Sequence, residues 1–288
     1  MDIRKTVTDK IISIMEAGIT ATGPRWTRSA GGGIPRNART HDVYRGINVL
    51  LLWAEAAERH YASNLWLTYK QAETMGAQVR KAEKSVMCVY YSKIQNKVES
   101  PEDDQESCAS FFLCKPFWLF NMAQIDGLPA DLTTPEATPE FNPIHEAEQI
   151  LTSSGAEIHY GFDAAFYAPT KDQICLPNRE RFTTPENYYA TALHELTHWT
   201  GHESRLNRQF GKRFGDDAYA FEELVAELGA AFTVGQLGIA DATIEAHASY
   251  LDSWIKVLKS DKQAIFTATS QAAKASDFIL HGCLEPAQ

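Results

Sequence analysis

The stretch ATALHELTHWTGH, over residues 190–202, most constrains what this chain can fold into. It contains the pattern His-Glu-x-x-His, in which His194 and His198 are four residues apart. On an α-helix this spacing puts both imidazoles on one face, about one turn apart, where they can bind the same metal ion. Glu195 then lies beside the ion, where its carboxylate can take a proton from bound water. The pattern therefore predicts a helix that carries a Zn2+ site, with another divalent metal as the alternative.

The third metal ligand lies outside this pattern. The longer motif H-E-x-x-H-x-x-G-x-x-H requires His at position 204, where this chain has Ser204. His202 follows the glycine that is expected to end the helix, so its direction cannot be deduced and it stays an alternative. The next predicted helix carries Glu223 and Glu227, again four residues apart on one face. One of these carboxylates can bind the metal while the other orients a histidine ring. We expect Glu223 to be the ligand and Glu227 the support, with the reverse assignment as the alternative and Glu222 pointing elsewhere into solvent.

Composition places the chain among soluble globular proteins. Its 288 residues, 44% hydrophobic and 22% charged, are enough for one large domain or two ordinary ones. No run of 18 apolar residues is present, which predicts no membrane span, and the N-terminus lacks the apolar core of a signal peptide. Five cysteines without a Cys-x-x-Cys pair favour reduced thiols. These features predict a cytoplasmic protein.

Charge is distributed unevenly along the chain. The net charge is −10, but residues 1–98 carry 15 Lys and Arg against 8 Asp and Glu, whereas the remaining residues carry 12 against 29. Two halves of opposite sign indicate two functions. The acidic half contains the predicted metal site, so the basic half is the one to test for binding to a polyanion.

Cationic, aromatic and amide side chains of the basic half form a candidate surface for single-stranded DNA. The predicted DNA-binding residues are Arg25, Trp26, Arg36, Asn37, Arg39, Tyr44, Arg45, Lys70, Gln71, Arg80 and Lys81. Cations neutralise phosphates and aromatic faces stack on unpaired bases, as binding without sequence preference requires. No helix carries the base-reading side chains that duplex recognition needs. The alternative is that the aromatic residues belong to the core of a small α/β domain.

A proline-rich segment divides the chain. Four prolines fall within residues 129–143, which is typical of a linker. We therefore predict a first domain over residues 1–127, a linker over 128–142 and a second domain over 143–288.

The hydrophobic patterns predict several elements on each side of that linker. The first part is expected to begin with a helix over residues 2–17 and to contain a short helix capped by Thr68. It should end with the strands SVMCVYYSKI and ASFFLCKPFWLF, joined by an acidic loop. In the second part the strands AEIHY, AAFYAP and QICLP precede the motif helix, which starts at Thr184 and Pro185. Either AAFYAP or QICLP could be an edge strand beside an extended peptide. Three helices follow, at about 217–236, 242–260 and 262–281.

Motifs in both halves resemble one known family. The first half contains P-x-N-A-R-T-x-x-x-Y-R-G-I-N-V-L-L-L, W-L-T-Y-K-Q-A, G-A-Q-V-R-K-A-E-K and F-N-x-x-Q-I-D-G-L. These resemble the N-terminal domain of the plasmid antirestriction protein ArdC and of conjugative TraC-type primases. The second half contains Y-Y-A-T-A-L-H-E-L-T-H-W-T-G-H-x-S-R-L-N-R, R-F-G and Y-A-x-E-E-L-V-A-E-L-G-A-A-F, which are similar to the accompanying zincin-type metallopeptidase domain. The resemblance runs from about residue 5 to residue 280, with Ala82 where glycine is expected.

The resemblance implies an α+β protein of two domains, a small α/β domain that binds single-stranded DNA followed by a zincin-like metallopeptidase domain. It implies protection of incoming conjugative plasmid DNA from restriction by the recipient, notably by type I enzymes. Peptidase activity stays open, because a zincin fold can keep its metal without a known substrate. The alternative function is a zinc-dependent endopeptidase that cleaves a host restriction enzyme or another host protein, with DNA binding only for targeting.

Overall fold

The structure is a computed structural model that describes residues 2–17, 33–97, 108–129, 143–208, 217–239 and 251–282. Four features of the sequence analysis lie outside these residues. They are the predicted DNA-binding residues Arg25 and Trp26, the acidic loop, most of the proline-rich segment, and residues 242–250 of the helix predicted at 242–260. The described residues form helices and sheets in an α+β arrangement, as the family resemblance implies.

The part of the chain before the proline-rich segment contains three helices and six strands among its described residues. They are α1 (Ile3–Ala17), β1 (Arg36–Asn37), α2 (Ile47–Arg59), β2 (Leu65–Leu67), α3 (Tyr69–Thr74), β3 (Gln78–Val79), β4 (Val86–Lys97), β5 (Cys108–Asn121) and β6 (Ile125–Asp126), with a 3-10 turn at Met122–Gln124. One sheet has the order β1-β2-β5-β4, and β3 pairs with β6. The long antiparallel pair β4–β5 confirms the two predicted strands.

Side-chain hydrogen bonds fix the ends of these elements. The Thr68 hydroxyl accepts from the backbone N–H of Gln71, and the Gln71 side chain accepts from the backbone N–H of Thr68, which confirms the predicted cap of α3. The Asn48 side chain accepts a hydrogen bond from the backbone N–H of Val89 at 2.8 Å and donates one to its C=O at 2.9 Å. Because β4 is an edge strand, this contact blocks further strand pairing at Val89.

The part of the chain from residue 143 onward places a small sheet before a group of long helices. Its described elements are α4 (Pro143–Ser153), β7 (Glu157–Tyr160), β8 (Phe166–Ala168), β9 (Gln173–Leu176), a 3-10 turn at Arg179–Arg181, α5 (Pro185–Thr200), α6 (Asp217–Leu237), α7 (Leu251–Ser260) and α8 (Ala264–His281). The sheet order is β7-β9-β8. The expectation that QICLP could be an edge strand is therefore wrong, because β9 bonds neighbours on both sides. The strand in AAFYAP, β8, does lie at an edge.

The main hydrophobic core joins both halves of the chain. It includes Val7 of α1, Trp53 of α2, Phe232 of α6 and Trp254 of α7. The rings of Trp53 and Phe232 lie 5.9 Å apart between centroids. The predicted division at residues 128–142 stays a prediction, since most of that segment lies outside the described residues, but the two parts share one core.

Helix α6 is the central element of this core. All of its side chains from residue 222 to residue 235 are buried, as is typical of a helix that is apolar on every face. Gly229 lets α6 approach α5 closely, because a Cβ at this position would lie 2.5 Å from Cγ2 of Thr197. The three glutamates of α6 therefore enter the protein interior together with its apolar residues.

Two expectations from composition can be compared with the described part of the chain. No described helix has the length and apolar character needed to cross a membrane. Cys88, Cys114 and Cys175 are free thiols. Burial raises the pKa of all three, so they favour the neutral form.

Candidate metal centre

The packing of α5 against α6 brings three predicted metal ligands together. One ligand atom each from His194, His198 and Glu223 lies within 4.8 Å of the others, and all three residues are buried. One carboxylate oxygen of Glu223 is 3.6 Å from Nε2 of His194, and the other is 3.5 Å from Nε2 of His198. Both imidazoles therefore direct the same nitrogen toward one carboxylate.

This donor set fits a divalent cation. Two imidazole nitrogens and a carboxylate oxygen are the ligands of many catalytic zinc sites, which keep a further position for water. Glu222, Glu223 and Glu227 bring three buried carboxylates to the site, and Arg208 brings one buried guanidinium. Arg208 alone cannot neutralise three carboxylates, and a divalent cation would supply the missing positive charge.

The ionisation of the site residues fits the same conclusion. Burial alone would raise the pKa of Glu223, but hydrogen bonds from His194 and His198 hold it well below the usual range. Burial alone would lower the pKa of His198, but hydrogen bonds and charge from Glu222 and Glu223 raise it to about 10. The metal-free site therefore attracts a proton to His198, and a cation must displace that proton to bind there.

The outer nitrogens of the two histidines also face carboxylates. Nδ1 of His194 lies 3.9 Å from Oε2 of Glu227, a side chain with 0% exposure, and Nδ1 of His198 lies 3.2 Å from Oε1 of Glu222. The expectation that Glu222 points into solvent is wrong, because it is 3% exposed. Because an imidazole has nitrogens on two sides, the single ring of His198 contacts two neighbouring residues of α6, Glu222 and Glu223. Arg208 supplies the positive charge that lets a second carboxylate be buried there.

Glu195, the predicted general base, is buried next to a predicted ligand on the motif helix. Glu195 is 7% exposed and follows His194 directly on α5. Within the described ranges, no hydrogen bond or ion pair engages its carboxylate. Burial and, to a smaller extent, the charge of Glu195 raise the pKa of the Cys175 thiol on β9, whereas the charge of Lys171 lowers it. Strands β8 and β9 of the small sheet both contact this motif helix.

His202 does not join the metal-ligating group found in the described residues. Its Nδ1 lies 2.9 Å from the hydroxyl oxygen of Ser204. The helix ends before this point, at Thr200, with Gly201 as its C-cap. His202 therefore belongs to the loop that follows α5, and Glu223 is the better candidate for third ligand.

Most of the predicted DNA-binding residues that are described adjoin, along the chain, the residues of a second, small core. This core contains Ala38, Leu67, Ala72, Ala77, Val79 and Ile125. The exposed members of the predicted set are Arg36, Arg39, Arg45, Lys70, Arg80 and Lys81. Asn37, Tyr44 and Gln71 are half-buried, and the Asn37 amide donates to the Tyr44 oxygen at 3.2 Å and to Gln71 Oε1 at 3.3 Å. These three polar residues connect β1 to α3.

Two of the exposed cations are engaged within the protein. Arg45 forms an ion pair with Asp277 of α8. Arg80 pairs with Glu83 at 2.9 Å and with Asp126 at 3.4 Å. In the part of the chain that the structure describes, no ion pair involves Arg36, Arg39, Lys70 or Lys81. Within the predicted set, these four exposed cations are therefore not engaged in an ion pair with another described residue.

Known families match both halves of the chain. Residues 1–120 match the family described as the N-terminal domain of anti-restriction factor ArdC, and residues 145–271 match the zincin-like metallopeptidases. Two Escherichia coli proteins named DNA primase TraC are 39% identical over 95% and 96% of this chain. The chain spans only 26% and 20% of their lengths. The uncharacterized protein y4eC of Sinorhizobium fredii is 35% identical over 96% of this chain and 91% of its own.

Solved structures of an antirestriction protein are similar over the whole chain. The metal-free crystal structure of ArdC from plasmid R388 has 37% sequence identity, covers 98% of each chain and gives a TM-score of 0.80. The Mn(II)-bound structure of the same protein gives a TM-score of 0.79 at the same identity and coverage. A relative that binds Mn(II) agrees with a divalent metal at the His194, His198 and Glu223 cluster.

Proposed function

This chain belongs to the ArdC family, and from that membership we propose that it binds single-stranded DNA and protects incoming conjugative plasmid DNA from type I restriction. The observation that carries the proposal is the similarity to an antirestriction protein along nearly the whole of both chains. In this proposal residues 1–127 bind DNA, residues 128–142 are a linker, and residues 143–288 form the zincin-like domain, which holds Zn2+.

The proposed DNA surface consists of the exposed cations around the small core. Arg36 and Arg39 lie on and just after β1, Lys70 lies on α3, and Lys81 follows β3. Tyr69 stands beside Lys70 with 47% of its surface exposed, and its hydroxyl accepts from Gln78. Cations next to an exposed aromatic ring are suited to phosphates and unpaired bases. The hydrogen bonds of Asn37 hold this surface in shape.

The second candidate function is a zinc-dependent peptidase that cleaves a host restriction enzyme or another host protein. The observation that favours it is Glu195, because a purely structural metal needs its ligands but no neighbouring general base. When bound, the metal would activate a water molecule and polarise a carbonyl group. His194, His198 and Glu223 would hold the ion, and Glu195 would take the proton from the water and deliver it to the leaving amine. The edge strand β8 could align an extended peptide.

One experiment separates the two functions. It measures the survival of unmodified conjugating plasmid DNA in a type I restricting recipient that contains the wild-type protein, Glu195→Ala, or the triple variant Arg36→Ala/Arg39→Ala/Lys70→Ala. DNA binding as the protective activity predicts that Glu195→Ala protects like the wild type and that the triple variant does not. Loss of protection in Glu195→Ala, with protein level and bound metal unchanged, would instead establish proteolysis as the function.

A further inference from the structure

A buried ion pair between Arg208 and Glu222 lies behind His198, and neither residue is one of the three proposed metal ligands. The two residues are 8% and 3% exposed. Arg208 donates from Nε to Oε2 of Glu222 at 3.0 Å and from Nη2 to Oε1 at 2.8 Å, a two-point contact that fixes the carboxylate plane. Apolar residues of similar volume often stabilise a fold as well as a buried ion pair does. Stability alone is therefore a weak reason for this pair.

The other donors of Arg208 attach it to the helix turn that carries His198. Nη1 donates to the hydroxyl of Thr200 at 2.8 Å, and Nη2 donates to the backbone carbonyl of Thr197 at 2.6 Å. These two threonines flank His198 on α5. Arg208 therefore holds the Glu222 carboxylate, which comes from α6, at a fixed place relative to the His198 ring.

Glu222 determines which nitrogen of His198 carries hydrogen. Oε1 of Glu222 is 3.2 Å from Nδ1 of His198. An ionised carboxylate can only accept hydrogen bonds, so Nδ1 must be the donor. In the neutral ring the lone pair is then on Nε2, the atom that faces Glu223 at 3.5 Å. Glu222 thus presents the correct nitrogen of His198 to a metal ion.

We propose that Arg208 and Glu222 are positioning residues, which fix the tautomer and orientation of His198 for binding a divalent cation. This inference rests on the metal centre proposed above. His194 is held differently, since Glu227, on its Nδ1 side, is 3.9 Å away. The loss of the Arg208–Glu222 pair should therefore weaken the hold of one ligand without removing any ligand.

The test measures the Zn2+ dissociation constant of the full-length protein by competition with a chromophoric chelator. The variants are Glu222→Gln, which keeps the side-chain shape but removes the charge, and Arg208→Met/Glu222→Leu, which replaces the whole pair by apolar groups. We expect both to bind about one Zn2+ per chain, roughly 10–100-fold more weakly than the wild type. The melting temperature of the metal-free protein is measured in parallel, so that weaker folding is not mistaken for weaker binding.

Arg205 provides a matched control in the same loop. It forms an ion pair with Asp172 and stacks on Trp199, with its guanidinium carbon 3.8 Å from the ring centroid, so it touches no proposed ligand. Arg205→Gln should lower the melting temperature and leave the Zn2+ affinity unchanged. Wild-type affinity in folded Glu222→Gln and in the double variant would overturn the positioning role while leaving the metal centre in place. A wild-type protein without stoichiometric Zn2+ would overturn both.

Discussion

At the scale of single residues, the site separates metal binding from proton transfer. His194 supplies a nitrogen to the ligand cluster, whereas the Glu195 carboxylate is not part of that cluster. We expect His194→Asn to lose stoichiometric Zn2+ and Glu195→Gln to retain about one ion per chain, because only the first change removes one of three ligands. Elemental analysis of the purified full-length proteins checks this. Full metal content in His194→Asn would mean that the ion binds elsewhere.

The ligand cluster could be predicted from the sequence, but the side chains behind it could not. Spacing of four residues fixes a shared helix face, which selects His194 with His198 and Glu223 with Glu227, but it does not show which glutamate binds the metal. Spacing does not show which way an imidazole turns, so it could not reveal that Nδ1 of His198 reaches Glu222. Arg208 comes from the loop after α5, which has no periodicity to interpret. The available signal was the presence of charged residues in an otherwise apolar helix.

The contacts of Glu148 lead to a prediction about how the stability of the fold depends on pH. Its carboxylate, on α4, accepts from Nη2 of Arg179 at 2.7 and 3.0 Å and from the hydroxyl of Tyr189 at 2.9 Å. Burial would raise its pKa, but the hydrogen bonds from Arg179 and Tyr189 lower it below the ordinary value of 4.5. A lowered pKa means that the folded state favours the ionised form. The resulting stability is complete above pH 4.5 and is lost as the pH falls through the folded-state pKa.

We therefore expect Glu148→Gln to reduce the free energy of unfolding at pH 7 by up to about 1 kcal/mol, a small value because solvent screens this partly exposed pair. The difference from the wild type should shrink as the pH is lowered from 5 to 3. Urea denaturation of both proteins across this range measures it, with Glu146→Gln on the same helix as the control. A difference that stays constant with pH would contradict an ionic contribution from Glu148.

At the scale of elements, the metal centre depends on how closely α5 and α6 approach each other. A Cβ on Gly229 would lie 2.5 Å from Cγ2 and 3.1 Å from Oγ1 of Thr197. We expect Gly229→Ala to force the helices apart, to reduce the free energy of unfolding by about 1–3 kcal/mol and to weaken Zn2+ binding, since the ligands come from both helices. Thermal unfolding and chelator competition measure the two effects.

A second substitution makes this prediction specific to the contact between the helices. Thr197→Ser removes the methyl group that would clash and keeps the hydroxyl, which bonds the carbonyl of Leu193 at 2.8 Å. In the Gly229→Ala background it should therefore restore most of the lost stability and Zn2+ affinity. If the double variant is as impaired as Gly229→Ala alone, the cost arises elsewhere, and the close approach is not what positions the ligands.

Elements with a strong local pattern could be predicted, whereas their neighbours could not. The pattern of α6 and the cap at Thr184 predicted where helices lie, because both signals are local. Local sequence could not predict whether β8 or β9 lies at the edge of the sheet, since both are short apolar runs. The structure places β9 between β7 and β8, where its residues Ile174, Cys175 and Leu176 are buried. The pairing between strands determines which strand lies at the edge of the sheet, and the periodicity within one strand carries no information about that pairing.

At the scale of the whole molecule, charge is divided although the core is shared. Arg45 in the basic half pairs with Asp277 of α8, and Thr8 of α1 donates to the backbone carbonyl of Lys262 at 2.9 Å. The sequence predicted the opposite charges of the two halves, because charge can be counted. It could not predict the shared core, because apolar residues do not specify which partner they pack against. The basic surface and the metal centre are therefore parts of one packed molecule with separate chemistry.

That separation predicts how single-strand binding responds to salt and to chelation. Each phosphate contact that is lost should reduce the slope of log affinity against log salt by up to about 0.7. We expect Arg36→Ala/Arg39→Ala/Lys70→Ala to bind an unstructured oligonucleotide more weakly and with a shallower slope, as titrations at several salt concentrations will measure. Arg59→Ala is the control, because Arg59 pairs with Glu55 and lies outside the proposed surface. An unaltered slope in the triple variant would place the DNA surface elsewhere.

The same separation predicts the effect of chelation: EDTA should leave the single-strand affinity of the wild-type protein unchanged. A loss of this affinity in EDTA would show that the metal centre contributes to DNA binding.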